Sequence, residues 1–301
     1  MRVIVTGGTG LIGRELSSRL SVKGHEVIVL SRHPERSSGL LTGVHIEHWD
    51  ALNVNGWTSL LDGADAVINL AGENIAAGRW TAERKLLIRE SRLNAGRAIV
   101  RAIGMVTHKP KVVVQASGIG YYGHRGDAEL DEEEPAGDDF LACLAKDWED
   151  STAPVRKMGV RQVIIRTGIV LSTKGGGLPR MILLTHLFAG RLGHGHQWFP
   201  WIHVKDEVDD ILFLIENEQA DGAFNLTAPN PVTEADFSQY LGKRLGRPIL
   251  LPVPAVILRV LLGEMATALL CSQKALPRRL LRSDFSFQFP QLTVALGDLL
   301  S

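Results

Sequence analysis

The segment VIVTGGTGLIGRELSSRL near the start of the chain limits its fold more than any other. Gly7, Gly10 and Gly13 stand at GxxGxxG spacing between a β-branched apolar run and an amphipathic one. The first glycine permits a tight turn, the second lets backbone approach a pyrophosphate, and the third lets helix and strand pack closely. The phosphates then sit at the helix N-terminus, where unpaired N–H groups and the dipole favour an anion. The apolar run before, the stripe Leu11, Ile12, Leu16 and Leu20 after, and a second strand from Glu26 supply the context that a bare glycine pattern lacks. The expectation is a dinucleotide-binding βαβ unit with Thr6, Gly7, Gly10, Leu11, Ile12 and Gly13 at the phosphates.

Short β-branched runs continue to alternate with longer amphipathic ones. Strands are expected over Val3 to Thr6, Glu26 to Ser31, Val44 to His48, Ala66 to Leu70, Val112 to Ala116 and Gln162 to Arg166. Nearly continuous apolar character at 27 to 30 and 112 to 114 fits strands covered by helices on both faces. Leu86, Leu93 and Val100, widened by Ile99 and Ile103, place one buried stripe on a long helix from Thr81 to Ile103. Beyond Arg166 come a Gly-rich turn at Gly175 to Gly177, a helix near Pro179 to Ala189 and the aromatic segment GHGHQWFPWIH. Helices follow at Asp206 to Glu216 and Glu234 to Leu245, with strands at Ala223 to Leu226 and Ile249 to Leu251. Phe285, Phe287 and Phe289 alternate with polar residues, which reads as a short strand before a final helix opened by Pro290. The fold class is α/β: a Rossmann-type doubly wound parallel sheet with a smaller, mostly helical C-terminal substrate lobe. The nucleotide domain is taken as 1–170 with 205–228 returning to it, and the lobe as 171–204 and 229–301.

Composition removes several classes. With 33 Lys+Arg against 33 Asp+Glu there is no long-range field to hold a polyanion, so neither nucleic acid nor an anionic membrane is an expected partner. The two cysteines, Cys143 and Cys271, form no CxxC and indicate a reducing, cytoplasmic setting without zinc. No signal-peptide core opens the sequence, and charges and prolines break the apolar stretches after 249 well below a membrane span. No P-loop tripeptide follows any glycine run.

The end of the second strand bears on which dinucleotide binds. An acid there would accept hydrogen bonds from the adenosine 2′-hydroxyl and repel a 2′-phosphate. The sequence has Ser31 and Arg32 instead, a hydroxyl and a guanidinium that can fork onto phosphate oxygens, so NADP(H) is favoured over NAD(H). The alternative is that Arg32 is a solvated loop residue. Asp50 and the stretch Leu70, Ala71 and Gly72 are positioned to edge the adenine and ribose.

The loop TGGTGLIG, the segments VINLAGENI, SGIGYYG and RTGIVLS, and WIHVKD near 201 to 206 resemble the extended short-chain dehydrogenase/reductases. INLAGENIAAGRWT, ESRLNAG and the tail from LLGEMATALL to FSFQFPQLTVAL are similar to an atypical branch with an added C-terminal domain, named epimerase-family or NADP-dependent oxidoreductase proteins. The resemblance spans essentially the whole chain. It implies cofactor contacts at Ser31, Arg32, Leu70, Ala71, Arg92 and Val170, and a sugar nucleotide or small carbonyl compound as substrate.

One departure can be counted. In the wider family a Tyr is followed four residues later by Lys on one helix, and the ammonium lowers the phenol's pKa for proton exchange with substrate. Here residue +4 from Tyr121 is Arg125, from Tyr122 is Gly126 and from Tyr240 is Arg244, so no Tyr-x-x-x-Lys exists. The helix where the pair belongs reads FLACLAKDWED, with Phe140, Leu141 and Leu144 in its place and Lys146 out of register. Ser117, just past the strand from Val112, and the phenols of Tyr121 and Tyr122 are the replacement candidates for polarising a carbonyl. Arg166 is read as a strand-end anchor and His203 as a core or cleft residue. The pair His194 and His196 lacks a third metal ligand, the acidic run Asp131 to Glu134 reads as a solvated loop, and Trp198, Phe199 and Trp201 read as core or cleft wall. Two functions remain open: an NADP(H)-dependent oxidoreductase or epimerase-like enzyme, and a non-catalytic NADP(H)-binding sensor. A homodimer fits either.

Overall fold

The computed structural model describes residues 1–37, 43–188, 190–247 and 252–301. Seven parallel strands form the central sheet: β1 (Arg2–Thr6), β2 (Glu26–Ser31), β3 (Val44–His48), β4 (Ala66–Asn69), β5 (Val112–Gly118), β6 (Arg161–Thr167) and β7 (Gly222–Leu226). Their order is β7-β6-β5-β4-β1-β2-β3, so the chain winds outward from β1 in one direction and then from β4 in the other. The doubly wound α/β reading of the sequence is borne out.

The missing alternation in these strands has a direct cause. Val3, Val5, Val27, Val29, Ala66, Ile68, Val112 and Val114 share one core with α1 (Leu11–Val22). Ile4, Ile28, Leu30, Val67 and Val113 share the opposite core with α2 (Ala82–Met105). Both faces are covered, so both sets of alternate residues are apolar. The expected stripe of α2 holds at Leu93, Ile99 and Ile103, which are buried, and at Val100, which packs against the core of Ile99 and Ile103, but not at Leu86. Leu86 is 59% exposed, whereas Ile88, Arg92, Ala95, Ile99 and Ala102 line the buried face. Alanines carry this face because they let a long helix lie close to the sheet.

Helices α3 (Phe140–Asp150), α4 (Leu178–Phe188), α5 (Val204–Glu216) and α6 (Glu234–Arg244) follow, and α5 leads directly into the last sheet strand. The expected strand at 249–251 lies outside the described residues. The C-terminal part holds α7 (Ala255–Leu262), α8 (Ala266–Leu270) and α9 (Leu292–Leu299). It is stitched back to the body by parallel pairing of Lys274 and Ala275 with Glu129 and Leu130. Its own core gathers Phe199, Trp201, Phe237, Leu241, Phe289, Leu292 and Leu296.

No strand forms at Phe285 to Phe289, and α9 starts at Leu292 rather than at Pro290. The alternating burial is real, but the N–H groups of Gln288 and Phe289 donate to the Asp206 carboxylate, at 2.8 and 3.0 Å, in place of a partner strand. Among the described residues no helix is long and apolar enough to cross a membrane.

Candidate functional site

Gly7 turns the chain from β1 into α1 with a φ of +68°, and a Cβ there would lie 2.5 Å from the Leu70 carbonyl oxygen. At Gly13 a Cβ would come within 2.4 Å of the Gly7 carbonyl oxygen. Both contacts are with backbone that cannot yield, so both positions exclude a side chain. The α1 N-cap, Gly10, offers no side-chain hydrogen bond, which leaves the first-turn N–H groups to an outside anion. Leu11 and Val170 meet at a second glycine turn: a Cβ on Gly176 would lie 3.0 Å from Leu11 Cδ2 and 3.4 Å from the Val170 carbonyl oxygen. Thus the later Gly-rich run flanks the first one, an adjacency that no local pattern announces.

Behind this turn the Thr6 hydroxyl donates to Asn69 Oδ1 at 2.7 Å, and Asn69 Nδ2 donates to Gln115 Oε1 at 2.8 Å. All three side chains are buried. They tie the C-terminal ends of β1, β4 and β5 together, and Asn69 and Gln115 went unmarked in the sequence because they sit inside strand patterns.

At the neighbouring edge, Ser31 is buried and its hydroxyl accepts the His33 N–H at 3.2 Å. Arg32 reaches out into solvent, with Nη2 3.8 Å from Glu73 Oε2. Glu73 also takes Arg84 at 3.1 Å. Arg92 is buried beneath Ala71–Gly72–Glu73: its Nη1 donates to the Glu73 and Ile88 carbonyls, both at 3.0 Å, and its guanidinium lies 4.7 Å over the Trp148 ring. Burial lowers its pKa to about 10, with Glu73 opposing and Arg84 adding to the fall. Its described contacts include no carboxylate within ion-pair distance, so this cation suits an incoming phosphate. Asp50 instead caps its own turn, accepting the N–H groups of Leu52 and Asn53 at 2.8 and 2.7 Å.

The candidates past β5 form one buried network. The Ser117 hydroxyl donates to Glu149 Oε1 at 2.6 Å. Glu149, on α3, accepts Arg166 Nε and Nη2 at 3.0 and 3.1 Å. Arg166 Nη1 donates to the Tyr122 hydroxyl at 3.0 Å, and that hydroxyl donates to Asn225 Oδ1 at 2.7 Å. The Arg166 guanidinium also stacks 3.5 Å from the Tyr121 ring centre. Tyr122 is fully buried, and burial pushes its phenol up to about 12, against the pull of Arg166. Tyr121 is only half-buried. Glu149 and Asn225 carry this geometry and were missed, since nothing in their neighbourhoods marks them as polar partners.

The acidic run is not simply solvated. Glu132 is buried, its carboxylate accepts the N–H groups of Asn225 and Arg279, each at 3.2 Å, and burial raises its pKa. His203 is fully buried; its ring accepts the Lys205 N–H at the start of α5 and stacks 3.8 Å from Phe289. Phe199 and Trp201 are core, whereas Trp198 donates to Asp127 at 2.9 Å. Among the described residues no group of three metal-ligating side chains converges.

Residues 3–142 match the NAD dependent epimerase/dehydratase family, and residues 253–299 match a domain of unknown function, DUF1731. The chain is 37% identical over 306 residues to the epimerase family protein SDR39U1 of Homo sapiens, all of both chains being covered. It is 37% identical over 312 residues to the epimerase family protein YfhF of Bacillus subtilis, covering 100% of this chain and 98% of the relative. The crystal structure of human SDR39U1 (isoform2) with NADPH superposes with a TM-score of 0.88 at 35% identity, covering 100% of this chain and 99% of that one. With its glycine turn, its seven-stranded sheet and its full-length similarity to these relatives, the chain belongs to the NAD dependent epimerase/dehydratase family.

Proposed function

We propose that the chain binds NADP(H) across the C-terminal edge of its sheet and acts on a sugar nucleotide or other small carbonyl compound as an oxidoreductase or epimerase-like enzyme lacking the Tyr-x-x-x-Lys relay. Two neighbouring observations carry the reading: the Gly7 turn has no room for a side chain, and the buried Arg92 cation, with no carboxylate of the described residues at ion-pair distance, lies beneath Gly72. The relative solved with NADPH supports the choice of cofactor. Gly7, Gly10, Leu11, Ile12 and Gly13 would hold the pyrophosphate, and Ser31 with Arg32 the 2′-phosphate. When bound, the nicotinamide supplies or takes up a hydride.

The protein's own part is to hold and polarise the substrate oxygen. In this reading Ser117 exchanges its bond to Glu149 for one to that oxygen. Tyr121, whose ring lies on the Arg166 cation, contributes the second hydroxyl. Tyr122 acts as a positioning residue that fixes Arg166 from behind. NADPH turnover measured against a carbonyl panel tests the assignment; equal rates for wild type and Ser117→Ala would remove Ser117 from the chemistry. Titrating NADPH and NADH against wild type and Arg32→Ala tests the cofactor. A preference for NADPH that is absent, or survives the substitution unchanged, overturns the role of Arg32.

The non-catalytic sensor is favoured by a different observation. Phe140 and Leu141 pack with Trp80, Met265 and Ala268, so apolar side chains from the C-terminal part close over the helix that lacks the phenol and ammonium. Retained NADPH binding with no turnover across the panel would favour this reading.

A further inference from the structure

A cavity of about 580 Å³ lies on one face of α6, and it shares no residue with the glycine turn, the Ser31–Arg32 edge or the Ser117 network. Ala235, Gln239, Gly242 and Lys243 follow one another along the helix at spacings that bring them to one side. Arg191 and Arg247 complete the wall. The volume falls within the range of small-molecule sites.

Three cations therefore share one cavity. The ion pairs of the described residues, from Arg2–Glu26 to Arg278–Glu129, include none of them. Arg191 Nε is buried and makes no hydrogen bond. Its stem is held in place: Gly195, at φ +79°, brings its backbone so close that a Cβ would lie 2.9 Å from Arg191 Cδ and 3.1 Å from Ala235 Cβ. The Arg191 carbonyl oxygen accepts the Val253 N–H at 2.7 Å, and the Arg247 N–H donates to the Gly242 carbonyl at 2.8 Å, so both backbones are anchored. Glu234 is the acid whose pKa Arg191 pulls down: its Oε1 accepts the Leu192 N–H at 2.8 Å and the Ser238 hydroxyl at 2.7 Å, while its Oε2 is buried without a hydrogen bond, so it offsets part of the Arg191 charge and leaves Lys243 and Arg247 uncompensated among the described residues. Lys243 and Arg247 both stand at the C-terminal end of α6, where cations complement the dipole, whereas Arg191 comes from a separate segment.

Unpaired like charges around one concavity repel one another, and a ligand with several negative oxygens relieves that repulsion while giving the Arg191 donors a partner. We propose that this cavity binds a small molecule bearing a phosphate or diphosphate, at a site separate from the dinucleotide groove. Gln239 supplies an amide to orient it, and the small side of Ala235 and Gly242 leaves room for its uncharged part.

Calorimetric titration of sodium pyrophosphate into protein saturated with NADP⁺ at low salt tests this. The expected result is a saturable isotherm that weakens by at least about tenfold in Arg191→Gln and in Lys243→Gln/Arg247→Gln, on the scale of one charge-assisted hydrogen bond. The double variant alters two exposed side chains, so it decides the matter even if Arg191→Gln fails to fold. Absence of saturable binding, or an isotherm that the double variant does not alter, overturns the proposal.

Discussion

Arg166 and Glu149 face each other through two parallel hydrogen bonds, Nε to Oε1 at 3.0 Å and Nη2 to Oε2 at 3.1 Å, with both side chains almost wholly buried. Burial alone would lower the guanidinium's pKa, but Glu149 and Tyr122 hold it above its ordinary value. Removing one partner leaves the other charge buried alone. Glu149→Ala is therefore expected to cost about 3–5 kcal/mol in urea unfolding. A cost below about 1 kcal/mol would mean that water reaches the pair.

Gly7→Ala places a methyl group 2.5 Å from the Leu70 carbonyl oxygen at a φ of +68°. The turn must open, which displaces the N–H groups at the start of α1. NADPH affinity by fluorescence titration is expected to fall by at least about tenfold, with a stability loss of more than about 1 kcal/mol.

Arg92 makes the opposite prediction for stability. It is a buried cation held by two carbonyls and a ring, so Arg92→Met removes a desolvated charge and keeps much of the volume. The unfolding midpoint should stay near that of wild type while NADPH binding weakens by about tenfold or more. A variant that loses stability but binds NADPH normally would show that the guanidinium is only a strut.

Glu207 and Asp210 on α5 are fully buried acids, and among the described residues no cation acts on either. Burial raises Glu207 to about 8, against the Thr167 hydroxyl, and raises Asp210 well above the usual range, with Glu207 and Asp206 adding to the rise. A carboxyl whose folded pKa is raised contributes stability that is full below its unfolded pKa and is lost as pH rises through the folded one. The folded state should thus weaken as pH rises above about 4, through Glu207 up to about pH 8 and through Asp210 in the same direction. Asp210→Asn is expected to gain stability relative to wild type as pH increases across that window, read from urea midpoints at several pH values. A difference that stays flat with pH would show that Asp210 is not the titrating group.

His203 acts on the acid side. Burial lowers it to about 4, with Lys205 assisting and Asp298 opposing. Its stability contribution is present above its unfolded value near 6.5 and is lost as pH falls through about 4. His203→Asn, which can still accept at the α5 cap, should narrow the difference in stability between pH 7 and pH 4.5.

Much of the architecture was legible because its signals are short-range. The near-continuous valines and isoleucines of β1, β2, β4 and β5 mark strands buried on both faces. The boundaries of β2 and β3 fall where the residue pattern places them. The α2 stripe was legible at Leu93, Ile99 and Ile103 but not at exposed Leu86, and its alanines went unmarked because alanine carries little weight in a hydrophobic pattern yet lies at the sheet contact. The Phe285 to Phe289 alternation was real, but whether such a segment pairs depends on what takes its N–H groups. Here Asp206, 82 residues away from Gln288, does so. Glu132 shows the same limit: three acids beside it made the run look solvated, while Asn225 and Arg279 bury one member.

By itself the sequence determined the βαβ rhythm, the glycine turn, the absence of an acid after β2 and the absence of a Tyr-x-x-x-Lys pair. Each depends on neighbours within a few positions. Tertiary structure alone decided which polar groups meet: Ser117 with Glu149, Tyr122 with Asn225, the second glycine turn with Leu11, and Arg191 with Lys243 and Arg247 around one cavity. The physical reason is that a buried charge or hydroxyl must find a partner wherever the packed sheet and helices bring one, and that distance through space leaves no periodic trace along the chain.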